Sequence, residues 1–188
     1  MWANPERKTM RTLIFAMMAA GVVLLSVGEG VAQQPAAPAT NPLDVIPDKM
    51  PFSTPYGPPI SAQRAEGLIQ AAMAEATKHD WLLNIAVVDS GGNLVSFLRM
   101  DGALLASIAV SQHKARTAVK FRRPTRVLED AVQKSDYKYI LSLDDVIASR
   151  GGIPLIEDGK IIGAIGSSGG TGSQDEAVCT AAAATINK

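Results

Sequence analysis

The residues of this chain that could do chemistry are few and scattered. Histidine occurs twice, as His79 and His113, and cysteine once, as Cys179. No Cys-x-x-Cys, His-Glu-x-x-His or Gly-x-Ser-x-Gly pattern is present, so none of the metal, metalloprotease or nucleophile-elbow signatures is encoded. Asp144-Asp145 and Asp175-Glu176 are adjacent acidic pairs, which read as a cap and solvated surface rather than as acid–base machinery. Cys179 has no histidine or cysteine near it and reads as a small apolar filler of the last helix. A single cysteine also excludes an internal disulfide. The remaining chemical signal is rich in glycine: Gly169, Gly170, Thr171, Gly172 and Ser173 precede an alanine-rich run. Backbone N–H groups at a helix start can cradle an anion, so these five residues are a candidate anion site. There is no Walker lysine and no dinucleotide spacing, and tight turns with close packing are the competing reading of the glycines.

These residues need elements to hold them. Residues 153–156 and 161–165 are two apolar runs joined by Asp158-Gly159, a hairpin-turn dipeptide. Ser173 and Glu176 stand three apart before the last helix, 174–187, and predict a capping box. Upstream, Ser61 is the expected N-cap of a helix to about residue 79, in which Ala65, Leu68, Ile69, Ala72, Met73 and Ala76 form one apolar face. Met73 reads as core filler, with a heme-ligand methionine as the competing reading, and His79 as a partner of the helix C-terminal dipole. Residues 85–88 and 94–98 are strands around the turn Asp89-Ser90-Gly91-Gly92-Asn93. A helix over 107–121 follows, ending before Pro124. Thr125 is placed to cap a short helix carrying Val127, Leu128, Ala131 and Val132, and residues 135–150 have mixed periods. Strands arrive as adjacent pairs, which predicts an α+β fold: an antiparallel sheet with helices on its faces.

Length and composition bound the rest. The chain has 188 residues, 47% of them hydrophobic, enough for one domain with a real core. Its formal net charge is zero, which gives no electrostatic case for nucleic acid. Arg7, Lys8 and Arg11 precede an uncharged apolar stretch over 13–25, and Gly30-Val31-Ala32 is a small-x-small cleavage site. Residues 1–32 therefore read as an export signal, with an uncleaved anchor as the competing reading, against which the apolar run is too short to span a bilayer comfortably. The expected location is periplasmic or secreted, with no membrane attachment after cleavage. Eight of the eleven prolines fall in residues 33–59, which read as a linker unable to form helix or central strand. Phe52 and Tyr56 are its candidates for packing onto the domain, residues 60–188.

The chain also resembles a known family. Ile85-Ala86-Val87-Val88-Asp89-Ser90-Gly91-Gly92-Asn93-Leu94, Arg99-Met100-Asp101, Lys114-Ala115, Phe121-Arg122-Arg123-Pro124-Thr125, Gly151-Gly152-Ile153-Pro154 and Ile162-Gly163-Ala164-Ile165-Gly166-Ser167-Ser168-Gly169-Gly170-Thr171, with Gln174-Asp175-Glu176, look like the GlcG/HbpS heme-binding family. The C-terminal domain of PduO-type cobalamin adenosyltransferases is similar. The resemblance covers about residues 60–188. It implies an α-β-α sandwich around a sheet of about five strands, a homo-oligomer, and heme binding for storage, transport or redox sensing without clear turnover. It does not carry over the histidine some members have near the start of the domain, since the first helix has none before His79. His113 is then the first choice of iron ligand, with Lys114, Arg122 and Arg123 as cations for the propionates. An exposed histidine on a basic helix face is the competing reading, and Lys114 and Arg122 are equally open to pairing with Asp101 or Glu129. Two other functions remain open. One is a protein binding small hydroxy acids such as glycolate, with the glycine loop as carboxylate site and Arg99 or Arg122 as clamp. The other is a purely structural homo-oligomer.

Overall fold

The computed structural model describes residues 45–187. The expected export signal and residues 33–44 of the linker lie outside the described residues. Nine elements follow one another: α1 (Ala62–Thr77), β1 (Asn84–Asp89), β2 (Leu94–Arg99), α2 (Ser107–Lys120), α3 (Thr125–Ser135), a 3-10 turn (Lys138–Ser142), β3 (Gly152–Glu157), β4 (Lys160–Ser168) and α4 (Gly172–Ala183). The strands form one antiparallel sheet in the order β2-β1-β4-β3, so both hairpins are kept and their inner strands pair with each other. The sheet has four strands rather than five. In place of a fifth, residues 55–60 run beside the start of β4: Gly57 N donates to the Ile161 carbonyl, Ile161 N to Pro55 O, and Ile60 N to Ile162 O. Only Tyr56 pairs formally, because proline at 55, 58 and 59 supplies no donors for a longer ladder.

Helices cover both faces. On one face α1 and α4 pack on each other and on the strands, over a core that includes Leu68, Ile69, Ile85, Val87, Leu155, Ile165 and Val178. On the other face α2 lies across β1, β3 and β4, and its Ala115, Ala118 and Val119 meet Val88, Ile161 and Ala164. Its close approach depends on two glycines. A Cβ at Gly166 would run into the backbone of Ser111 and Ala115, and one at Gly152 into the Lys114 carbonyl. Each hairpin carries one irregularity. In β3/β4 the register skips Ile162, so that Ile161 and Ala164, three apart, share the α2 core while Ile162 and Ile165 share the other.

Local signals explain most boundaries. Ser61 Oγ accepts from Arg64 N at 3.4 Å, as an N-cap should. Asp158 and Gly159 both have positive φ, 49° and 70°, the conformation of a tight hairpin turn. Two caps are corrected. The capping box is Thr171 with Gln174, not Ser173 with Glu176: Thr171 Oγ1 accepts from Gln174 N at 3.3 Å and Gln174 Oε1 from Thr171 N at 2.8 Å. The same spacing occurs twice in the sequence, and Glu176 is turned instead toward Arg126 and Arg150, 3.5 and 3.9 Å away. Thr125 does not cap α3; Pro124 holds that position, and Thr125 Oγ1 accepts from the buried Gly152 N at 2.9 Å.

Candidate functional site

The face of α2 that meets the sheet carries a charge into the interior. Ser111, Lys114, Ala115 and Ala118 recur at helical spacing, so Lys114 points inward with its neighbours and is 1% exposed. Its Nζ lies 2.7 Å from Oδ2 of Asp175, on α4, and both side chains are sealed from solvent. Gly151, with φ 116°, makes the passage: a Cβ there would sit 3.1 Å from the Lys114 ammonium and 2.7 Å from Asp175 Cβ. The pair therefore links the two helical layers past the sheet. Around it, Asp175 Oδ1 accepts from Gly170 N at 3.2 Å and the Asp175 carbonyl from Ser167 Oγ at 2.8 Å. Burial pushes the Asp175 carboxyl above the usual range, and Lys114 and the Gly170 N–H pull it only part of the way back. Burial likewise pushes the Cys179 thiol up to about 12, so it stays protonated and serves as filler. Reading Asp175 as solvated surface is thus overturned.

This interior consumes the residues the sequence offered for binding. Lys114 is an internal ion pair, not a cation free for a propionate. Arg122, at φ 54°, lies over the Tyr56 ring with its guanidinium carbon 4.5 Å from the centroid. Arg123 lies 3.3 Å over Phe52, donates from Nε to the Phe121 carbonyl, and is lowered in pKa by burial. Tyr56 Oη donates toward the Val119 and Lys120 carbonyls at the end of α2. The two arginines therefore hold the end of the proline-rich segment. His113 is half-buried on α2, in electrostatic reach of the Asp145 carboxylate that Lys120 grips. Neither alternative pairing forms: Glu129 pairs with Arg150 instead, at 2.6 Å.

The glycine loop spends part of its donors on itself. Gly170 N, Thr171 N, Gln174 N and Asp175 N go to acceptors of the chain, whereas Gly172 N and Ser173 N, in the first turn of α4, meet none among the described residues. Gly169 has φ 144°, and a Cβ there would strike the Leu82 carbonyl. Gly169 thus serves conformation and close packing, and Thr171 serves capping.

The concavity lies elsewhere. Between the second half of α1 and the outer strand β2 opens a pocket of about 380 Å³, lined by Met73, Leu82, Leu98, Arg99, Met100 and Asp101. It sits at the edge of the α1/α4 core, against which Met73, Leu98 and Met100 pack half-buried. Met100 N donates to the Leu83 carbonyl at 3.1 Å, which fixes the floor after β2. Gly102, at φ 79°, turns the chain beneath Leu82. Arg99 makes no ion pair among the described residues. His79 lies outside the lining, stacked on Trp81 with ring centroids 4.4 Å apart and its Nε2 3.4 Å from Glu75. Sequence reasoning named Met73 and the Arg99-Met100-Asp101 run one at a time. Nothing in their spacing shows that a helix turn and a strand end meet. Among the described residues no group of three or more His, Cys, Asp or Glu could hold a metal ion.

Comparison with known proteins agrees with this architecture. A family model described as "Haem degrading protein HbpS-like" matches residues 60–184. Protein GlcG of Escherichia coli (strain K12) is 41% identical over 109 residues, 58% of this chain and 81% of GlcG. The crystal structure of a PduOC:heme complex is similar at 33% identity and a TM-score of 0.63, covering 69% of this chain and 96% of that one. A double mutant of Streptomyces reticuli HbpS is similar at 27% identity and a TM-score of 0.65, covering 77% and 97%.

Proposed function

This chain belongs to the HbpS-like family, and on that premise we propose that it binds heme, which it stores, carries or senses outside the cytoplasm. The observation that carries the reading is its likeness to a domain crystallised with heme, matched over nearly that domain's whole length. The fold supplies what such a ligand needs: an apolar concavity within the ~300–1,000 Å³ range of small-molecule sites, with a cation at its rim. A heme iron accepts a lone pair from His, Met, Tyr or Cys, and the lining offers thioethers. When bound, heme supplies redox and ligand-binding chemistry at its iron; the chain's part is to exclude water from the ring and to pair its carboxylates.

The test is a hemin titration. A Soret band that saturates at a fixed number of hemes per chain is expected, and absorbance that rises without saturation overturns the reading. The same sample, followed for hours with a reductant, distinguishes retention of the ring from its degradation: a steady band means holding, a decaying band with released iron means turnover.

Export and self-association belong to the same proposal. The basic start, apolar stretch and small-residue site of residues 1–32 support export, and mass spectrometry of the protein made in cells should find a chain beginning at Gln33. Leu104 and Leu105, 60% and 67% exposed, and the unpaired outer edge of β2 support a homo-oligomer. Light scattering after size exclusion at one chain's mass would remove that part. The hydroxy-acid reading has no comparable support: four of the loop N–H groups are bonded within the chain, and no relative crystallised with such a ligand stands beside it.

A further inference from the structure

We infer that the pocket between α1 and β2 is the heme seat of this chain, with the Met73 and Met100 thioethers facing the iron side of the ring and Arg99 pairing a propionate. The inference rests on the heme reading above and adds where the ligand sits and which side chains hold it.

Four observations carry it. The first is shape: Met73, Leu98 and Met100 are half-buried against the core, while Leu82 stands 48% exposed at the rim. The opening is thus apolar on its Met73, Leu82, Leu98 and Met100 side, where a ring face can rest, with Arg99 and Asp101 beside them. The second is fixity. Leu98 is in register with Ile85, and Met100 is tied to Leu83, so the slot is present before any ligand arrives. The third is chemistry. Thioether sulfur is a soft donor suited to iron, and its flexible chain adapts to an irregular ring face. The fourth is charge. Arg99 is the one cation of the lining and is engaged by no carboxylate among the described residues, whereas Lys114, Arg122 and Arg123 are all committed. Asp101 also lines the pocket and opposes an anionic ligand. It supplies a test of opposite sign.

Hemin is titrated into the full chain and six variants. Leu82→Trp fills the mouth from an exposed position, so the fold is unaffected; binding should weaken at least tenfold at unchanged unfolding temperature. Met73→Leu and Met100→Leu conserve volume and delete sulfur; at least one should shift the Soret maximum. Arg99→Gln should weaken binding roughly three- to tenfold, as loss of a charge-assisted bond at a solvated rim does. Asp101→Asn should tighten it up to a fewfold. As a control outside the pocket, His113→Ala should leave affinity and spectrum unchanged. A saturable wild-type band that the pocket variants leave untouched, or that only His113→Ala abolishes, overturns the pocket and leaves the heme reading standing. No saturable wild-type band overturns both.

Discussion

The two faces of the sheet solve opposite problems. Under α2 a small apolar cluster, Ala115, Ala118 and Val119 on Val88, Ile161 and Ala164, is mixed with buried polar groups, Ser111, Thr117, Thr125 and Lys114, and Gly152 and Gly166 bring the helix almost onto the strands. Under α1 and α4 the interior is built from leucine, isoleucine, valine and alanine, and at the β2 edge it stops short and leaves a slot. A buried polar network is costly unless every member finds a partner, so the α2 face is closed and specified. An apolar core has no such directional demand and can end at an open edge. The opening therefore lies on the face with the plainer chemistry, and Lys114, Arg122 and Arg123, the charged residues that draw the eye in the sequence, are engaged within the fold.

The largest expected effect breaks the closed face. Lys114→Met or Asp175→Asn strands a buried charge or leaves it half-partnered, and each should cost about 3–5 kcal/mol. The double variant should recover most of that loss, because the desolvation cost goes with the pair. Urea unfolding of the three proteins measures this, and single variants within about 0.5 kcal/mol of wild type would erase the contrast between the faces.

Next comes the helix approach. Gly166→Ala places a Cβ against backbone atoms of α2, which cannot rotate away, and should destabilise by about 1–3 kcal/mol. The same change at Gly67, where a Cβ would meet nothing within 4 Å, should be neutral or mildly stabilising. Thermal unfolding of the two alanine variants compares them directly.

A smaller effect depends on pH. Burial alone would raise Glu129, but its bonds to the Arg150 guanidinium and backbone N–H hold it below the usual carboxylate range. The unfolded chain then binds the proton more tightly than the folded one. The pair's contribution, about 1–3 kcal/mol, is present above pH 4–5 and is lost as pH falls through the lowered value. Wild type minus Glu129→Gln stability should therefore be positive at pH 7 and shrink as pH falls through the lowered value; a gap that does not change with pH in acid would show that ionisation of Glu129 is not what the Arg150 bonds stabilise.

The smallest effect lies on the open face. Leu82→Ala trims a rim residue that packs little, and should move stability by no more than about 0.5 kcal/mol. A loss of several kcal/mol would mean that the slot is a stressed part of the core and not a site left open.

Periodicity and turn chemistry decide the elements in the sequence itself. The apolar stripe of α1, the strands around Asp89 to Asn93, the Asp158-Gly159 hairpin and the break at Pro124 each arise within a few residues, and the backbone obeys them. Capping is where the local rule has two solutions, and the structure takes Thr171 with Gln174, with Glu176 turned toward Arg126 and Arg150. The functional residues are another matter. Lys114 and Asp175 stand 61 positions apart, and neither position in its own helix says that the other will neutralise it. Met73 and Met100 look like filler in isolation; only the packing of α1 beside the end of β2 gives them a common space. Sequence determined the local elements and their order, because those depend on neighbours along the chain. Tertiary structure decided which charges are spent on the interior and where an opening remains, because both depend on groups that meet only when distant segments pack.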